Sequence, residues 1–128
     1  MKKILITDDS NMISKLLSVY LIEYFGDEHV EIIKAKDGAE ALFALHDNND
    51  IEFIFLDMMM PIVDGYSVAK YIHNRELKIH TIIISASLGK EMITSLGKMG
   101  FKNFLPKPIH NDRLVPILDK IIKASKAS

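Results

Sequence analysis

The alternation of short apolar runs with longer segments of helical periodicity constrains the fold of this chain most. Runs rich in Ile, Val, Leu and Phe predict five β-strands, at residues 4–6, 30–35, 53–56, 81–84 and 103–105. Between and after these runs, apolar residues recur every three or four positions, as on the buried face of a helix. This second pattern predicts five helices, at residues 13–24, 39–46, 66–75, 90–98 and 114–122.

Polar and glycine residues mark several element boundaries. Asp9 or Ser10 is expected to cap the first helix, because both side chains can accept a hydrogen bond from a free backbone N–H. Gly26 is expected to end that helix, and Asn111 or Asp112 to cap the last one. Residues 124–128 are small and polar, so we expect this tail to fray.

Strands that are apolar on both faces predict a parallel sheet with helices on both sides. Right-handed crossovers between such strands give a doubly wound arrangement. The predicted fold is therefore α/β, a doubly wound (βα)5 three-layer sandwich. We expect the flavodoxin-like strand order 2-1-3-4-5 for its parallel sheet, because this order would bring together the ends of the first, third, fourth and fifth strands. No linker, repeat or low-complexity tract interrupts the pattern, so we expect residues 1–128 to form one domain.

Composition excludes several classes of protein. The chain carries 16 Lys and Arg against 17 Asp and Glu, and a net charge of -1 gives no general attraction to nucleic acid or to anionic membranes. It has no Cys, which excludes disulfides and thiolate metal sites. Its apolar runs are far shorter than the roughly 20 residues that span a bilayer. We therefore expect a cytoplasmic protein without nucleic-acid or membrane partners.

Reactive side chains follow four of the predicted strands. Asp8 and Asp9 come after the first strand, Asp57 after the third, Ser85 after the fourth and Lys107 after the fifth. In a doubly wound sheet these strand ends meet at one edge. Three neighbouring carboxylates repel one another, and a hard cation such as Mg²⁺ relieves the repulsion.

Such a cluster predicts chemistry on phosphorus. With a cation bound, the Asp57 carboxylate can act as a nucleophile toward a phosphoryl group. The charge that develops on the phosphoryl oxygens would be stabilised by the cation, by the amine of Lys107 and by the hydroxyl of Ser85.

The same motifs, in this order and spacing, resemble the receiver domain of two-component response regulators, the CheY-like family. The acidic pair ends the segment ITDD at residues 6–9, and the phosphoacceptor segment LDMMMPIVDG occupies residues 56–65. The hydroxyl segment ISA follows at 84–86, and FLPKP at 104–108 carries the lysine. An acidic pair or a Lys-Pro pair is weak by itself, whereas their combination with the phosphoacceptor segment is specific, and the motifs span most of the chain.

The resemblance implies a role for each site residue. Asp57 would accept a phosphoryl group from a histidine kinase or a histidine phosphotransfer protein. Asp8, Asp9 and Asp57, together with the backbone carbonyl of Met59, would hold Mg²⁺, the implied cofactor. Lys107 would contact the phosphoryl group. The chain would thus be a signalling module that catalyses only its own phosphorylation and dephosphorylation, not an enzyme with other substrates.

The resemblance also implies a conformational switch. Ser85 would bond to the phosphoryl group and move toward it, and Phe104 would rotate between exposed and buried positions as Ser85 moves. The bond between Lys107 and Pro108 is expected to be cis, as it often is in the family. A downstream effector protein would bind the fourth helix, fifth strand and fifth helix, roughly residues 90–124.

Three positions depart from the usual family pattern. In the family, the residues two past the phosphoacceptor and two past the hydroxyl residue tune hydrolysis of the phosphate. Here they are Met59 and Ser87, which are neither acids nor amides, so we expect a long-lived phosphate. Pro106 removes a backbone donor from the fifth strand, and we expect it to perturb the switch.

Simpler interpretations exist for the individual residues. The acidic pair could be a solvated helix cap, Asp57 a turn residue, Ser85 an ordinary loop serine, Lys107 a surface lysine and Phe104 a core residue. The side chains of the Met58–60 run are expected mostly to pack, and none of them to bind a cofactor. No metal-ligand spacing relates the five histidines, which we expect at the surface or in loops.

Other functions remain open beside a stand-alone receiver. If the chain is complete, its output is a partner surface; otherwise it is a fragment of a larger regulator or hybrid kinase. A haloacid-dehalogenase-type phosphatase also uses an Asp nucleophile with Mg²⁺, but it needs a second acid where Met59 stands. A nucleotide-binding flavodoxin-like module would need a Gly-rich loop after the first strand, which this sequence lacks.

Overall fold

In the computed structural model, which describes residues 1–127, five strands alternate with five α-helices. The strands are β1 (Lys2–Thr7), β2 (Val30–Ala35), β3 (Phe53–Asp57), β4 (His80–Ser85) and β5 (Asn103–Pro106). The helices are α1 (Asn11–Phe25), α2 (Gly38–Asp47), α3 (Gly65–Asn74), α4 (Lys90–Lys98) and α5 (Asn111–Ala127). A short 3₁₀ helix, Asp27–His29, precedes β2. Within the described residues, no helix is long and apolar enough to cross a membrane.

The strands form one sheet in the order β2-β1-β3-β4-β5, and every neighbouring pair is parallel. Thr7 at the end of β1 lies beside Leu56, and Asp57 at the end of β3 lies beside Ile84. The strands therefore finish at the same edge of the sheet. The predicted flavodoxin-like sandwich and its strand order are confirmed.

Two separate cores hold this sheet between its helices. On β1, Ile4 and Ile6 belong to the core under α1 and α5, whereas Leu5 belongs to the core under α2, α3 and α4. This alternation follows from the two-residue period of a strand. Burying each such side chain contributes about 1.5–3 kcal/mol relative to leaving it exposed, so the central strands form a rigid base for the loops that follow them.

The first helix begins and ends as its sequence predicts. Ser10 is the N-cap of α1, and its Oγ accepts a hydrogen bond from the backbone N–H of Ile13 at 3.3 Å. Gly26 follows the helix with φ of +94°, a conformation that L-residues with side chains rarely adopt.

The last helix differs from its prediction at both ends. Asn111 and Asp112, predicted as alternative caps, lie inside α5, and the carbonyl of His110 accepts from the N–H of Leu114 at 3.2 Å. The helix continues to Ala127, through the residues that were expected to fray, because the Ala and Lys there favour helix. Ser128, which shared that prediction, lies outside the described residues.

A glycine that the sequence marks only as a turn fixes α3 against the end of β3. A Cβ on Gly65 would lie 2.1 Å from the carbonyl oxygen of Asp57 and 2.7 Å from Cα of Met58. The N–H of Gly65 donates to the carbonyl of Met58 at 3.2 Å, and Asp64 caps α3 by accepting from the N–H of Ser67 at 2.8 Å. The backbone around Asp57 is therefore held by a contact that only glycine permits.

We predict that Gly65→Ala lowers the free energy of unfolding by about 1–3 kcal/mol, because the backbone on both sides of the contact must move apart. Urea denaturation measures this change. Gly97→Ala in α4 is the matched control: a Cβ there meets no atom within 4 Å, so alanine should stabilise the helix by about 0.5–1 kcal/mol. Equal effects of the two substitutions would contradict the close approach at Gly65.

Candidate functional site

The four strand ends that were predicted to carry chemistry meet at one edge of the sheet. The backbone N–H of Asp8 donates to the carbonyl of Ala35 at 3.1 Å, which extends the β1–β2 pairing by one residue. On the other side, the N–H of Lys107 donates to the carbonyl of Ser85 at 2.9 Å. Backbone hydrogen bonds thus continue past the strands and hold the reactive residues in place.

Three carboxylates face one another at this edge. One oxygen from each of Asp8, Asp9 and Asp57 lies within 4.8 Å of the others, and this is the only such acidic or histidine group within residues 1–127. Asp8 and Asp57 are each 2% exposed, whereas Asp9 is open to solvent. Burial and mutual repulsion both disfavour the charged forms of such acids.

Lys107 supplies the positive charge that lies closest to the buried acids. Its Nζ is 3.0 Å from Oδ2 of Asp8 and 3.4 Å from Oδ2 of Asp57. Burial by itself lowers the pKa of this amine, but the hydrogen bond to Asp8 and the charge of Asp57 outweigh it, so the pKa of Lys107 is raised. The amine is therefore a permanent cation that joins β5 to the ends of β1 and β3.

One ammonium group does not neutralise the site. The pKa of Asp57 is raised, first by burial and then by the charge of Asp8. The N–H of Met59, which donates to Oδ1 of Asp57 at 3.2 Å, and the cation of Lys107 both lower it without cancelling these causes. The ionised Asp57 is thus less favourable in the folded protein than in water.

The donor set at this edge suits a hard divalent cation. All three side chains offer carboxylate oxygens, the ligands that Mg²⁺ prefers, and the exposure of Asp9 leaves a solvent path to them. The backbone carbonyl of Met59 stays a predicted further ligand, since the contact seen at that residue is made by its N–H.

The hydroxyl of Ser85 is bonded to its own loop. Its Oγ donates to the carbonyl of Ser87 at 2.9 Å and accepts from the N–H of the same residue at 3.2 Å. Beyond it, Ser85 borders a cavity of about 290 Å³ that is also lined by Leu88, Ile93 and Phe104. Phe104 is half-buried against the core on the α4 side, with free space beside its ring.

The comparisons with known proteins agree with this geometry. The family model described as "Response regulator receiver domain" matches residues 4–119. The chain belongs to the response-regulator receiver family. The transcriptional regulatory protein CpxR of Escherichia coli K12 is 32% identical over 126 residues, which are 98% of this chain and 51% of CpxR. The chain thus spans about half the length of curated relatives such as CpxR.

Solved receiver structures share the fold along almost all of the chain. The Francisella response regulator 1452 receiver domain has a TM-score of 0.75 and 29% identity, covering 98% of this chain and 99% of that one. The CheX-CheY-BeF3-Mg+2 complex from Borrelia burgdorferi has a TM-score of 0.81 and 26% identity, covering 94% of this chain and 89% of the matched one. The family predicted from the sequence motifs is confirmed.

Two predicted features of this receiver have a clear outcome in the structure. The peptide bond between Lys107 and Pro108 is cis, as the resemblance implies. Pro106 removes no hydrogen bond between β4 and β5. The N–H of Lys107 points to β4, and successive residues of a strand direct their backbone nitrogens to opposite sides. The nitrogen of Pro106 therefore faces the open edge of the sheet. The predicted loss of a donor therefore leaves the pairing of the two strands intact.

The methionine run only partly fits its predicted packing role. Met58 is 5% exposed and belongs to the core, and Met60 packs against it, but Met59 is 77% exposed and does not pack. Met59 instead borders a cleft of about 380 Å³, which Ser87 and Met92 also line. The two predicted rate-tuning positions therefore lie on the same cleft. The five histidines are all exposed, as expected.

A strained turn in the phosphoacceptor loop was not foreseen from the sequence. Ile62 has φ of +69°, and the N–H of Val63 donates to the carbonyl of Pro61 at 2.8 Å across it. A β-branched residue rarely adopts positive φ, so nothing local predicts this turn. The hydrogen bond and the contact at Gly65 hold the loop in this conformation.

We predict that Asp57→Asn stabilises the metal-free receiver at neutral pH by on the order of 1 kcal/mol, because it removes an unfavourable buried charge. Because the pKa of Asp57 is raised in the folded protein, its charge destabilises the fold above that pKa, and this destabilisation disappears as the pH falls through it. The difference between variant and wild type should therefore shrink in acid. Urea denaturation in EDTA across a pH series measures it.

The control is Asp50→Asn at the opposite end of the sheet. A hydrogen bond with Lys3 lowers the pKa of this exposed acid, so its charge is favourable and removing it should give no stabilisation. A gain in stability at Asp50 as large as that at Asp57 would contradict the assignment of strain to the acidic cluster.

Proposed function

We propose that residues 1–128 form one receiver module of a two-component phosphorelay, and that Asp57 is its phosphoacceptor. The observation that carries the proposal is the position of this carboxylate, buried between two other acids within 4.8 Å and a lysine Nζ 3.4 Å from its Oδ2. In that setting the ionised carboxylate is destabilised, and the nearby lysine ammonium can bind the oxygens of a phosphoryl group.

The proposed reaction moves a phosphoryl group from nitrogen to oxygen. The N–P bond of a phosphohistidine donor breaks and an O–P bond to a carboxylate oxygen of Asp57 forms, so the donor imidazole keeps the electron pair. No oxidant or reductant is needed. Lys107 binds a phosphoryl oxygen through the ammonium that now contacts Asp57, and this stabilises the charge that spreads over the phosphoryl oxygens.

Asp8, Asp9 and Asp57, with the backbone carbonyl of Met59, are the proposed Mg²⁺ ligands. The bound cation supplies charge neutralisation for both the acids and the phosphoryl oxygens. The chemistry of three oxygen donors at one exposed edge supports this choice of metal. The Borrelia complex that shares this fold contains Mg+2 and BeF3, which agrees with it.

Ser85 and Phe104 are the proposed switch. Ser85 gives up its bond to the Ser87 carbonyl and donates instead to the phosphoryl group, which moves the loop after β4. The ring of Phe104 then rotates into the cavity that the loop after β4 lines. Each state is stabilised by its own contacts, so the phosphoryl group shifts the balance between two existing arrangements.

The proposed location of the chain is the cytoplasm. A histidine kinase or histidine phosphotransfer protein is the proposed donor, and an effector protein that binds α4, β5 and α5 is the proposed target. Phe104 on β5 and Ile93 on α4 line the same cavity as Ser85, which supports a link from the acidic edge to that surface.

We predict that acetyl phosphate labels the wild-type chain when Mg²⁺ is present, and that Asp57→Asn abolishes labelling. Asp64→Asn is the matched control, since it removes an exposed acid of the same loop that only caps α3. Phosphate-affinity electrophoresis measures the labelled fraction. Labelling of Asp57→Asn at the wild-type level would refute the assignment, and continuous turnover of added phosphomonoesters would favour a phosphatase.

We predict a slow loss of the phosphate, because neither Met59 nor Ser87 holds an acid or amide that could orient an attacking water. Met59→Asn should accelerate the decay by roughly tenfold, equivalent to about 1.4 kcal/mol of transition-state stabilisation. Met59→Leu, which keeps an apolar side chain, should leave the decay rate unchanged. The decay of the labelled chain after removal of acetyl phosphate measures both. A fast wild-type decay that Met59→Asn does not increase would overturn this prediction.

A further inference from the structure

The sulfur groups of this chain all belong to methionine. The sequence has seven Met and no Cys, so an oxidant of sulfur meets only thioethers. Four of the seven methionines line the cleft of about 380 Å³ between the loop after β3 and the start of α4: Met58, Met59, Met60 and Met92. The same cleft is lined by Ser87, the second predicted rate-tuning position. Thioethers are thus concentrated where the lifetime of the phosphate is expected to be set.

The four thioethers of this cleft differ in their exposure to solvent. Met58 is 5% exposed, Met60 and Met92 are half-buried, and Met59 is 77% exposed. Oxidation to the sulfoxide needs direct contact between the oxidant and the sulfur atom, so exposure decides which thioether reacts first. Within the cleft that thioether is Met59, whereas burial in the core protects Met58.

The position of Met59 gives its oxidation a consequence. Its backbone N–H donates to Oδ1 of Asp57 at 3.2 Å, so the side chain starts next to the proposed phosphoacceptor. A thioether is only a weak hydrogen-bond acceptor. A sulfoxide is polar, and its oxygen is carried by the δ atom of the side chain, as the amide oxygen of glutamine is.

We propose that Met59 is a site of reversible oxidation by peroxides, and that its sulfoxide shortens the lifetime of the phosphate on Asp57. The inference rests on the proposed function, because it concerns hydrolysis of that phosphate. In the modifying step the Met59 sulfur attacks one oxygen of hydrogen peroxide. An S–O bond forms, the O–O bond breaks, and the second oxygen leaves as water with the proton of the transferred one. Sulfur loses the two electrons that the peroxide gains.

The reverse step needs a dithiol reductant, which methionine sulfoxide reductases use. The S–O bond breaks, the oxygen leaves as water, and the dithiol becomes a disulfide. Because this sequence has no Cys, both electrons come from outside it. The state of Met59 therefore follows the balance between peroxide and dithiol reductant around the protein.

The sulfoxide acts on the water that hydrolyses the aspartyl phosphate. This water attacks phosphorus in line with the bond to Asp57. The sulfoxide oxygen accepts a hydrogen bond from the water and orients it, which the thioether does not do. We expect the phosphate to decay roughly threefold to tenfold faster as a result, a modest share of what full orientation of a reactant can supply. Oxidation shortens the signal without blocking phosphorylation, because neither Asp57 nor Lys107 contains sulfur.

Peptide mapping by mass spectrometry tests the site after mild treatment of the full chain with hydrogen peroxide. The sulfoxide should appear at Met59 well before it appears at Met58. It should appear about as early at Met12 on α1, which is also 77% exposed but does not line the cleft. Oxidation of Met58 as early as that of Met59 would overturn the assignment of Met59 as the reactive methionine of the cleft.

The decay of the phosphate introduced by acetyl phosphate tests the effect. Peroxide should accelerate the decay in the wild-type chain, and methionine sulfoxide reductases for both sulfoxide epimers, with dithiothreitol, should restore the slow rate. Met59→Leu should lose the response to peroxide. Met12→Leu is the matched control and should keep it, because it removes an equally exposed thioether outside the cleft. Met59→Gln should decay fast without any peroxide.

The variants also separate Met59 from its neighbours. Met60 and Met92 remain in Met59→Leu, so an effect of their oxidation would persist in that variant and would overturn the proposal. Unchanged decay in a wild-type chain whose Met59 is oxidised would overturn it as well. If acetyl phosphate fails to label the untreated chain, the proposed function is wrong and the inference fails with it. If labelling succeeds and peroxide leaves the decay unchanged, only the oxidation inference is wrong.

Discussion

The repulsion among three carboxylates at one edge of a parallel sheet is the constraint on which the rest of this structure depends. Two of these acids are buried, and Lys107 is the cation that contacts both. The backbone bonds that prolong the strands, and the approach of Gly65 to the carbonyl of Asp57, keep the acids from moving apart. The fold thus holds the carboxylates in an unfavourable arrangement, which the proposed Mg²⁺ and phosphoryl group would together stabilise.

The end of β4 lies between the acidic site and the cavity beside β5. Ser85 ends β4 next to the acidic edge, yet its hydroxyl is satisfied by the loop and its other side borders the cavity beside Phe104. In the proposed switch, a change of hydrogen-bond partner at this residue would alter packing at the β5 edge of the sheet. Such a coupling would need no long pathway, because a single loop contributes to both places.

The sequence predicts most of the fold and the composition of the site, because apolar runs and strand-end residues are local signals. The strand order is the one expected of a flavodoxin-like sheet, and Asp8, Asp57 and Lys107 meet as expected. What the sequence does not predict depends on tertiary contacts. The need for glycine at position 65 comes from the nearby backbone of β3, and the positive φ of Ile62 opposes its own local preference.

A titration of stability with Mg²⁺ tests most directly whether the three carboxylates share one cation. For a shared site, the wild-type free energy of unfolding should rise with Mg²⁺, by about 1.4 kcal/mol at ten times the dissociation constant. Asp9→Asn and Asp57→Asn should each lose most of this dependence, whereas Asp50→Asn should keep it. Stability that does not respond to Mg²⁺, or that responds equally in all four proteins, would contradict a shared metal site at this edge.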